Sequence, residues 1–220
     1  MSSLALLPLM AMLGAAAADG APQPKAAETA ADRQAFMDFV AFVYNRQGYK
    51  VRPWLDSPFG SDVAGGSWVS MFDPNCLIND QENEQGIQLR FKLNLVRSAL
   101  FELLWTKEFA KARDVESFAD VGPVAYAKVA EPASPLGAAY ALSMTIGDCV
   151  VRAAPAGART LLAAPIGSNA ERAAMKSIIP VLGSCTPAGQ NMTLSYSIVR
   201  GMIAEPLYRL SKAKLGAPVR

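Results

Sequence analysis

Apolar residues recur at three- and four-residue spacings along much of the chain, which is the pattern of amphipathic helices. The first such stripe, within residues 26–46, consists of Phe36, Phe39, Val40 and Val43. It predicts a helix that ends near Gly48 and Pro53, because glycine and proline both weaken a helix. The same pattern predicts further helices over residues 93–112, 136–151 and 155–163.

One helix start is marked explicitly. Ser168 is followed three residues later by Glu171, which is the spacing of a helix-capping box. In such a box the serine side chain accepts a hydrogen bond from the backbone of the first helical turn. We therefore expect a helix to begin after Ser168 and to be disrupted at Pro180.

Two segments of the chain resemble each other. Gly86–Trp105 reads GIQLRFKLNLVRSALFELLW, and Gly189–Tyr208 reads GQNMTLSYSIVRGMIAEPLY. Aligned without a gap, they share the identical pairs Gly86/Gly189, Val96/Val199, Arg97/Arg200, Glu102/Glu205 and Leu104/Leu207. Upstream, the sequence at residues 58–61 is echoed at 165–168. This pattern predicts one helical unit used twice, and the alternative is chance similarity between alanine-rich helices.

The predicted fold class is therefore mainly α, with two similar multi-helix units packed about a pseudo-two-fold axis. The first unit covers residues 19–105, a packed connection covers 106–134, and the second unit covers 135–220. Short paired extended segments are expected at Gln88–Phe91 and Met192–Leu194.

Composition narrows the chemistry. The 21 basic and 19 acidic residues give a net charge of +2, and no run of Lys or Arg indicates a nucleic-acid-binding face. Histidine is absent, which removes the usual histidine-based nucleophilic and metal sites. The acidic loop at residues 79–84 offers oxygen ligands for calcium, but it lacks EF-hand spacing. A solvated loop is favoured there, and we expect no metal, no cofactor and no nucleic-acid partner.

The amino terminus is apolar. Leu4–Ala18 carries no charge and ends in small residues, which predicts a signal peptide over residues 1–18 that is cleaved after Ala18. Fifteen apolar residues are short for a membrane span, so no stable membrane insertion is expected after cleavage. The mature chain would be periplasmic or secreted; the alternatives are an uncleaved anchor and a disordered tail.

Three cysteines allow one internal disulfide in an oxidising compartment. The simplest pairing is Cys149 with Cys185, which would connect two parts of the second unit. Cys76 would then be a buried, small apolar residue. A bridge from Cys76 to either of the other cysteines is the competing arrangement.

Two sets of residues are candidates for more than packing. If the units are related by a two-fold axis, Arg97 reaches Glu205 while Arg200 reaches Glu102, giving two partly buried ion pairs between the units. A catalytic carboxylate pair at Glu102 and Glu205 is the alternative. The second set is a candidate aromatic groove for a peptide or sugar, as opposed to core packing, and consists of Tyr49, Trp54, Phe59 and Trp68.

No nucleotide-binding loop or hydrolase nucleophile motif is present in the sequence. We therefore expect a non-catalytic binding or assembly module of the cell envelope, with no catalytic residues and an unidentified protein or small-molecule partner. The alternative is a carboxylate-based hydrolase or lyase with a groove between the two units.

Overall fold

The computed structural model of the chain describes residues 28–60, 71, 93–112, 117–126, 135–190, 192 and 194–216. These residues form six helices and no strand, which confirms the mainly α fold class. The helices are α1 Ala30–Asp56, α2 Leu93–Glu108, α3 Pro135–Ala153, α4 Pro155–Ala163, α5 Asn169–Cys185 and α6 Tyr196–Leu215. Within the described part of the chain, every helix is too short or too polar to cross a membrane.

Helix α1 is longer than predicted. It begins at a capping box formed by Thr29 and Asp32, and it continues past Gly48 and Pro53 to Asp56. At Gln47 the backbone bends, with φ of −125° and ψ of 21°. The helix is therefore interrupted next to Gly48, as predicted, but it resumes and runs through Pro53, so the predicted end was wrong. The segment beyond the bend buries the apolar side chains of Val51, Trp54 and Leu55. This burial outweighs the cost of a proline inside the helix.

Helix α5 begins where predicted, since the Ser168 hydroxyl accepts a hydrogen bond of 3.0 Å from the Glu171 amide. The helix does not stop at Pro180 but continues to Cys185, so the predicted disruption was wrong. Pro180 has no N–H group to donate to the carbonyl of Lys176, four residues earlier. Both residues lie on the exposed side of the helix. Water can therefore satisfy that carbonyl, and the helix tolerates the proline.

Helices α2 and α6 cross at the centre of the fold, and most of their residues are buried. At the crossing, Gly201 approaches Ser98 so closely that an added Cβ would lie 3.0 Å from the Ser98 Cβ. Helices α1, α3 and α4 pack against this pair, and α5 packs on α3 and α4. Three buried side chains between α2 and α3, Phe109, Phe118 and Tyr126, also contribute to the two apolar clusters of the interior.

Several sequence predictions fall outside the described residues. These are the signal peptide at 1–18, the extended segment at 88–91, the acidic loop at 79–84, Cys76 and Trp68. At the other predicted extended segment, the described residues Met192 and Leu194 are not in a strand.

Candidate functional site

Arg97 lies at the middle of a buried polar group, which we call the Arg97 centre. Its members are Arg97, Glu205, Tyr140 and the carbonyls of Trp54 and Leu55. The fully buried guanidinium donates from Nη1 to the Trp54 carbonyl at 3.2 Å and from Nη2 to the Leu55 carbonyl at 2.8 Å. Both carbonyls belong to the last turn of α1, where carbonyls lack the regular helical hydrogen bond and carry partial negative charge. The Trp54 carbonyl also accepts a 3.2 Å hydrogen bond from the Ser57 amide. Arg97 thus fixes the end of α1 to α2.

Glu205 of α6 completes the Arg97 centre. It is fully buried, and its Oε2 lies 3.3 Å from the Arg97 Nε. The Tyr140 hydroxyl donates to the same oxygen, and Arg209 Nε donates to Oε1 at 2.7 Å. Burial, and next the negative charge of Glu205, raise the pKa of Tyr140 well above its usual value. Tyr140 is therefore a neutral donor, and the carboxylate has three side-chain donors around it.

A second group, the Arg200 centre, has the same plan. Its members are Arg200, Glu102, Glu171, Arg33 and the carbonyls of Leu161, Leu162 and Ala164. Arg200 of α6 donates from Nη1 to the Leu161 carbonyl at 2.7 Å and from Nη2 to the Leu162 carbonyl at 3.1 Å. These carbonyls lie in the last turn of α4. Arg200 Nε also donates to Glu102 of α2 at 3.2 Å.

The Arg200 centre contains a second carboxylate, Glu171, which is fully buried at the start of α5. Arg33 of α1 binds it with both terminal nitrogens, at 2.6 and 2.8 Å, and Arg200 Nη1 lies 3.1 Å away. Burial alone would raise the pKa of Glu171, but hydrogen bonds from Arg33 and the Gly167 amide, with the charges of the two arginines, hold the pKa below its usual value.

The sequence pattern placed Arg97 with Glu205 and Arg200 with Glu102, and these are the pairs that the structure brings together. It missed the roles of Arg33 and Glu171. Glu171 was interpreted only as a capping residue, yet its carboxylate accepts from Gly167 rather than from the Ser168 backbone. A signal for Arg33 was available, because Arg33 falls on the same helical stripe as Phe36 and Val40 and so faces the core.

The four candidate aromatic residues do not form one groove in the described part of the chain. Tyr49 is 72% exposed, whereas Trp54 and Phe59 are buried in the core. Phe59 stacks on Tyr140 at 4.2 Å between ring centroids, and the Trp54 ring lies 5.5 Å from the Arg97 guanidinium. Trp68 is outside the described residues. Trp54 and Phe59 therefore pack around the Arg97 centre, because large apolar rings bury most of their surface.

Cys149 and Cys185 are joined, with their Sγ atoms 2.00 Å apart and their Cα atoms 5.8 Å apart. The bond connects the end of α3 to the end of α5. This is the expected pairing, and Cys76, which would take part in the competing bridges, lies outside the described residues.

Two cavities flank the crossing of α2 and α6, and both are lined by Leu95, Ser98 and Gly201. The smaller, about 30 Å³, is bounded by Arg33 and Phe36 of α1. The larger, about 110 Å³, is bounded by α3. Both are smaller than the pockets of roughly 300–1,000 Å³ that enclose drug-sized ligands.

The described residues contain no cluster of three or more His, Cys, Asp or Glu side chains that would hold a metal ion. Glu102 and Glu205, the carboxylates considered for catalysis, are each bonded to an arginine and are almost fully buried. Their charge is used to hold helices together, which leaves neither poised as a solvent-exposed general base.

Comparison of the chain with protein-family models, curated proteins and solved structures gives no match. Function is therefore inferred from the geometry of the chain itself.

Proposed function

We propose that this protein is an exported, non-catalytic binding or assembly module of the cell envelope, built from two related helical units. One observation carries the non-catalytic part: the paired carboxylates Glu102 and Glu205 are buried and bonded to arginines. A hydrolase or lyase would need at least one carboxylate facing a substrate-sized cleft. The geometry instead favours a rigid scaffold whose outer surface meets a partner.

Three features at a constant spacing of 107 residues support the duplication. Helix α1 bends at Gln47, and the break between α3 and α4 falls at Ala154. The turns after α1 and α4 each contain a glycine with positive φ, 86° at Gly60 and 76° at Gly167. The carbonyls bound by Arg97 and by Arg200 are likewise 107 residues apart, residues 54 and 55 against 161 and 162.

Beyond these turns the spacing is 103 residues, and the correspondence continues. Helix α2 begins at Leu93 and α6 begins at Tyr196. Ser98 and Gly201 are 103 residues apart and contact each other. Equivalent residues that touch are expected where a two-fold axis passes between two copies. We therefore place the pseudo-two-fold axis at this contact, with units at 19–105 and 135–220 and the connection at 106–134.

Export is supported by the apolar segment Leu4–Ala18 and by the Cys149–Cys185 bond. Disulfides form and persist mainly in oxidising compartments, such as the bacterial periplasm or the extracellular space. In this proposal residues 1–18 are a signal peptide that is removed, and the mature protein acts in the periplasm or outside the cell. A tether through an uncleaved amino terminus is the alternative form of the same module.

The test is to express the full chain in a bacterium, fractionate the cells and measure the intact mass of the protein. The expected result is a periplasmic chain that begins at Asp19 and contains one disulfide. In native gels of the envelope fraction it should migrate in a complex, and variants Glu102→Gln and Glu205→Gln that remain folded should keep that complex. A full-length, reduced and monomeric cytoplasmic chain would overturn the proposal.

A further inference from the structure

The larger cavity beside the crossing of α2 and α6 has a lining suited to a small ligand. Its apolar wall comes from three helices and includes Leu95, Met144, Ile198 and Met202. Its polar groups come from Asn94, Ser98 and Ser143. An apolar wall with a few polar groups is the usual composition of a small-molecule site.

We propose that this cavity binds a small neutral molecule with a branched aliphatic body and one hydrogen-bonding head, such as a primary amide or an alcohol. This assignment deepens the proposed function, because it gives the binding module a ligand class of its own. A ligand of this class would place its body against Met144 and Met202 and its head beside Ser98.

The Ser98 hydroxyl is the group that points to a ligand. Ser98 is only 6% exposed, and no described residue hydrogen-bonds to its side chain. Serine and threonine inside helices often bond back to a carbonyl four residues earlier. Ser143 and Thr145 do so, to Ala139 and Ala141 at 3.0 and 2.9 Å, but Ser98 does not. The hydroxyl oxygen is accessible to solvent rather than sealed in the core, and Ser98 lines the cavity, so a ligand head can bond to it there.

The charges behind the cavity favour a neutral ligand. The Tyr140 ring lines the cavity, and its hydroxyl is already used as a donor to Glu205. Glu205 in turn is paired with Arg97. Since these charges satisfy one another, an ionic ligand would be desolvated without gaining an opposite charge.

The volume sets the size of the ligand. A cavity of about 150 Å³ holds one benzene molecule, so the 110 Å³ here suits a body of roughly four to six heavy atoms. The smaller cavity, about 30 Å³, has room for little more than water. A different residue of the neighbouring helix lines each cavity. Phe36 of α1 lines the smaller cavity, and Ser143 of α3 lines the larger one.

The experiment uses the full mature chain with ¹³C-labelled methionine methyl groups and isobutyramide as the probe. Saturable shifts of the Met144 and Met202 signals are expected, with a dissociation constant on the order of millimolar for a ligand of this size. Isobutyrate, which has the same shape and a negative charge, should shift these signals little. Absence of saturable shifts with isobutyramide, or equal shifts with isobutyrate, would overturn the proposed site.

Two variants locate the site. Ser143→Phe introduces a phenylalanine at the larger cavity, where the smaller cavity already has Phe36. This variant should abolish the shifts of the methionine signals. Its control, Thr145→Phe, changes an exposed residue of the same helix outside the cavity and should leave binding unchanged. Ser98→Ala should weaken binding roughly 3- to 10-fold, the usual worth of one neutral hydrogen bond, without destabilising the fold.

Binding that survives Ser143→Phe would place the ligand elsewhere and overturn the assignment. Failure of the cavity to bind can be told apart from failure of the proposed function. The cellular location and the envelope complex are measured separately, and they do not depend on whether this cavity is filled.

Discussion

The Arg97 centre and the Arg200 centre share one plan and differ around it. In each, an arginine on a central helix donates to two successive carbonyls at the end of another helix and pairs with a glutamate across the crossing. The Arg97 centre adds the neutral hydroxyl of Tyr140. The Arg200 centre adds a full charge pair, Arg33 with Glu171. The part that the two centres share holds helix ends in place, whereas the side chains around that constant part differ between them.

The positions of Tyr140 and Arg33 make this difference informative. They are 107 residues apart, which is also the spacing of the features that support the proposed duplication. An arginine there requires a second buried carboxylate, and Glu171 supplies it. A tyrosine requires no such partner. The wider cavity lies on the tyrosine side of the crossing, and the narrower one lies on the arginine side.

The largest effect is expected from breaking the constant part. Arg97→Ala should lower the free energy of unfolding by about 3–5 kcal/mol, the usual cost of removing one partner of a buried ion pair. It would leave Glu205 without the fully buried cation beside it and the Leu55 carbonyl without its arginine donor. Urea denaturation measures the loss. Arg46→Ala, at an exposed position of α1, is the control and should change little.

Reversing the charges of the pair sharpens the same point. From sequence alone, Arg97→Glu combined with Glu205→Arg is expected to restore stability. The structure changes this expectation, because a glutamate at position 97 would face the carbonyls of Trp54 and Leu55 with no proton to donate. The double variant should therefore stay well below the wild type in urea midpoint. Full recovery would mean that the carbonyl bonds contribute little.

The next largest effect is expected from removing the Cys149–Cys185 disulfide, which joins α3 to α5. Replacing Cys149 and Cys185 by serine should cost about 3–4 kcal/mol, from the loop-closure entropy of the unfolded chain. The bond closes a loop across a sequence separation of 36. Urea denaturation of the oxidised wild type and the double variant measures the difference, and peptide mapping should find the Cys149–Cys185 link. A link through Cys76 would contradict the pairing.

A smaller effect distinguishes the two centres. Tyr140→Phe removes the neutral donor to Glu205 and should lower stability by about 1.5–3 kcal/mol, the range for a hydrogen bond to a charged group. The matched control is Tyr49→Phe, at a residue that is 72% exposed, which should have no measurable effect. Equal urea midpoints for the two variants would show that the Tyr140 hydroxyl does not support Glu205.

The smallest effect concerns pH. The pKa of Glu171 in the fold lies below its usual value of 4.5. The ionised Glu171 carboxylate therefore stabilises the fold above pH 4.5, and this stabilisation is lost as the pH falls through the lowered pKa. Arg33→Met removes the largest of the contributions that lower this pKa. We therefore expect the urea midpoint to fall less between neutral and acidic pH in the variant than in the wild type. An equally steep fall would assign the acid sensitivity to other carboxylates.

Helix content could be predicted from the sequence because the apolar stripes are regular, and helix α4 was placed with both ends correct. The extents of α1 and α5 could not. Pro53 and Pro180 are local signals against a helix, and packing of residues such as Val51 and Ile178 overrides them. Local propensity is a weak guide wherever a segment buries a large apolar face.

The candidate site was predicted where residues repeat, and missed where they do not. Arg97 and Arg200 stand out because they occupy equivalent positions in similar segments. Arg33 and Glu171 have no such echo, and a sequence gives no direct sign that residues 138 positions apart will meet. The bonds to helix-end carbonyls are also invisible in sequence, since any residue supplies a carbonyl.

The most direct test of the account is a set of double-mutant cycles between the two arginines and the two glutamates, using Arg→Met and Glu→Gln substitutions. The account predicts coupling of at least about 1 kcal/mol for Arg97 with Glu205 and for Arg200 with Glu102, and under about 0.5 kcal/mol for the crossed pair Arg97 with Glu102. Absence of coupling in the matched pairs, or equal coupling in the crossed pair, would contradict the reciprocal arrangement on which the proposed two-unit scaffold depends.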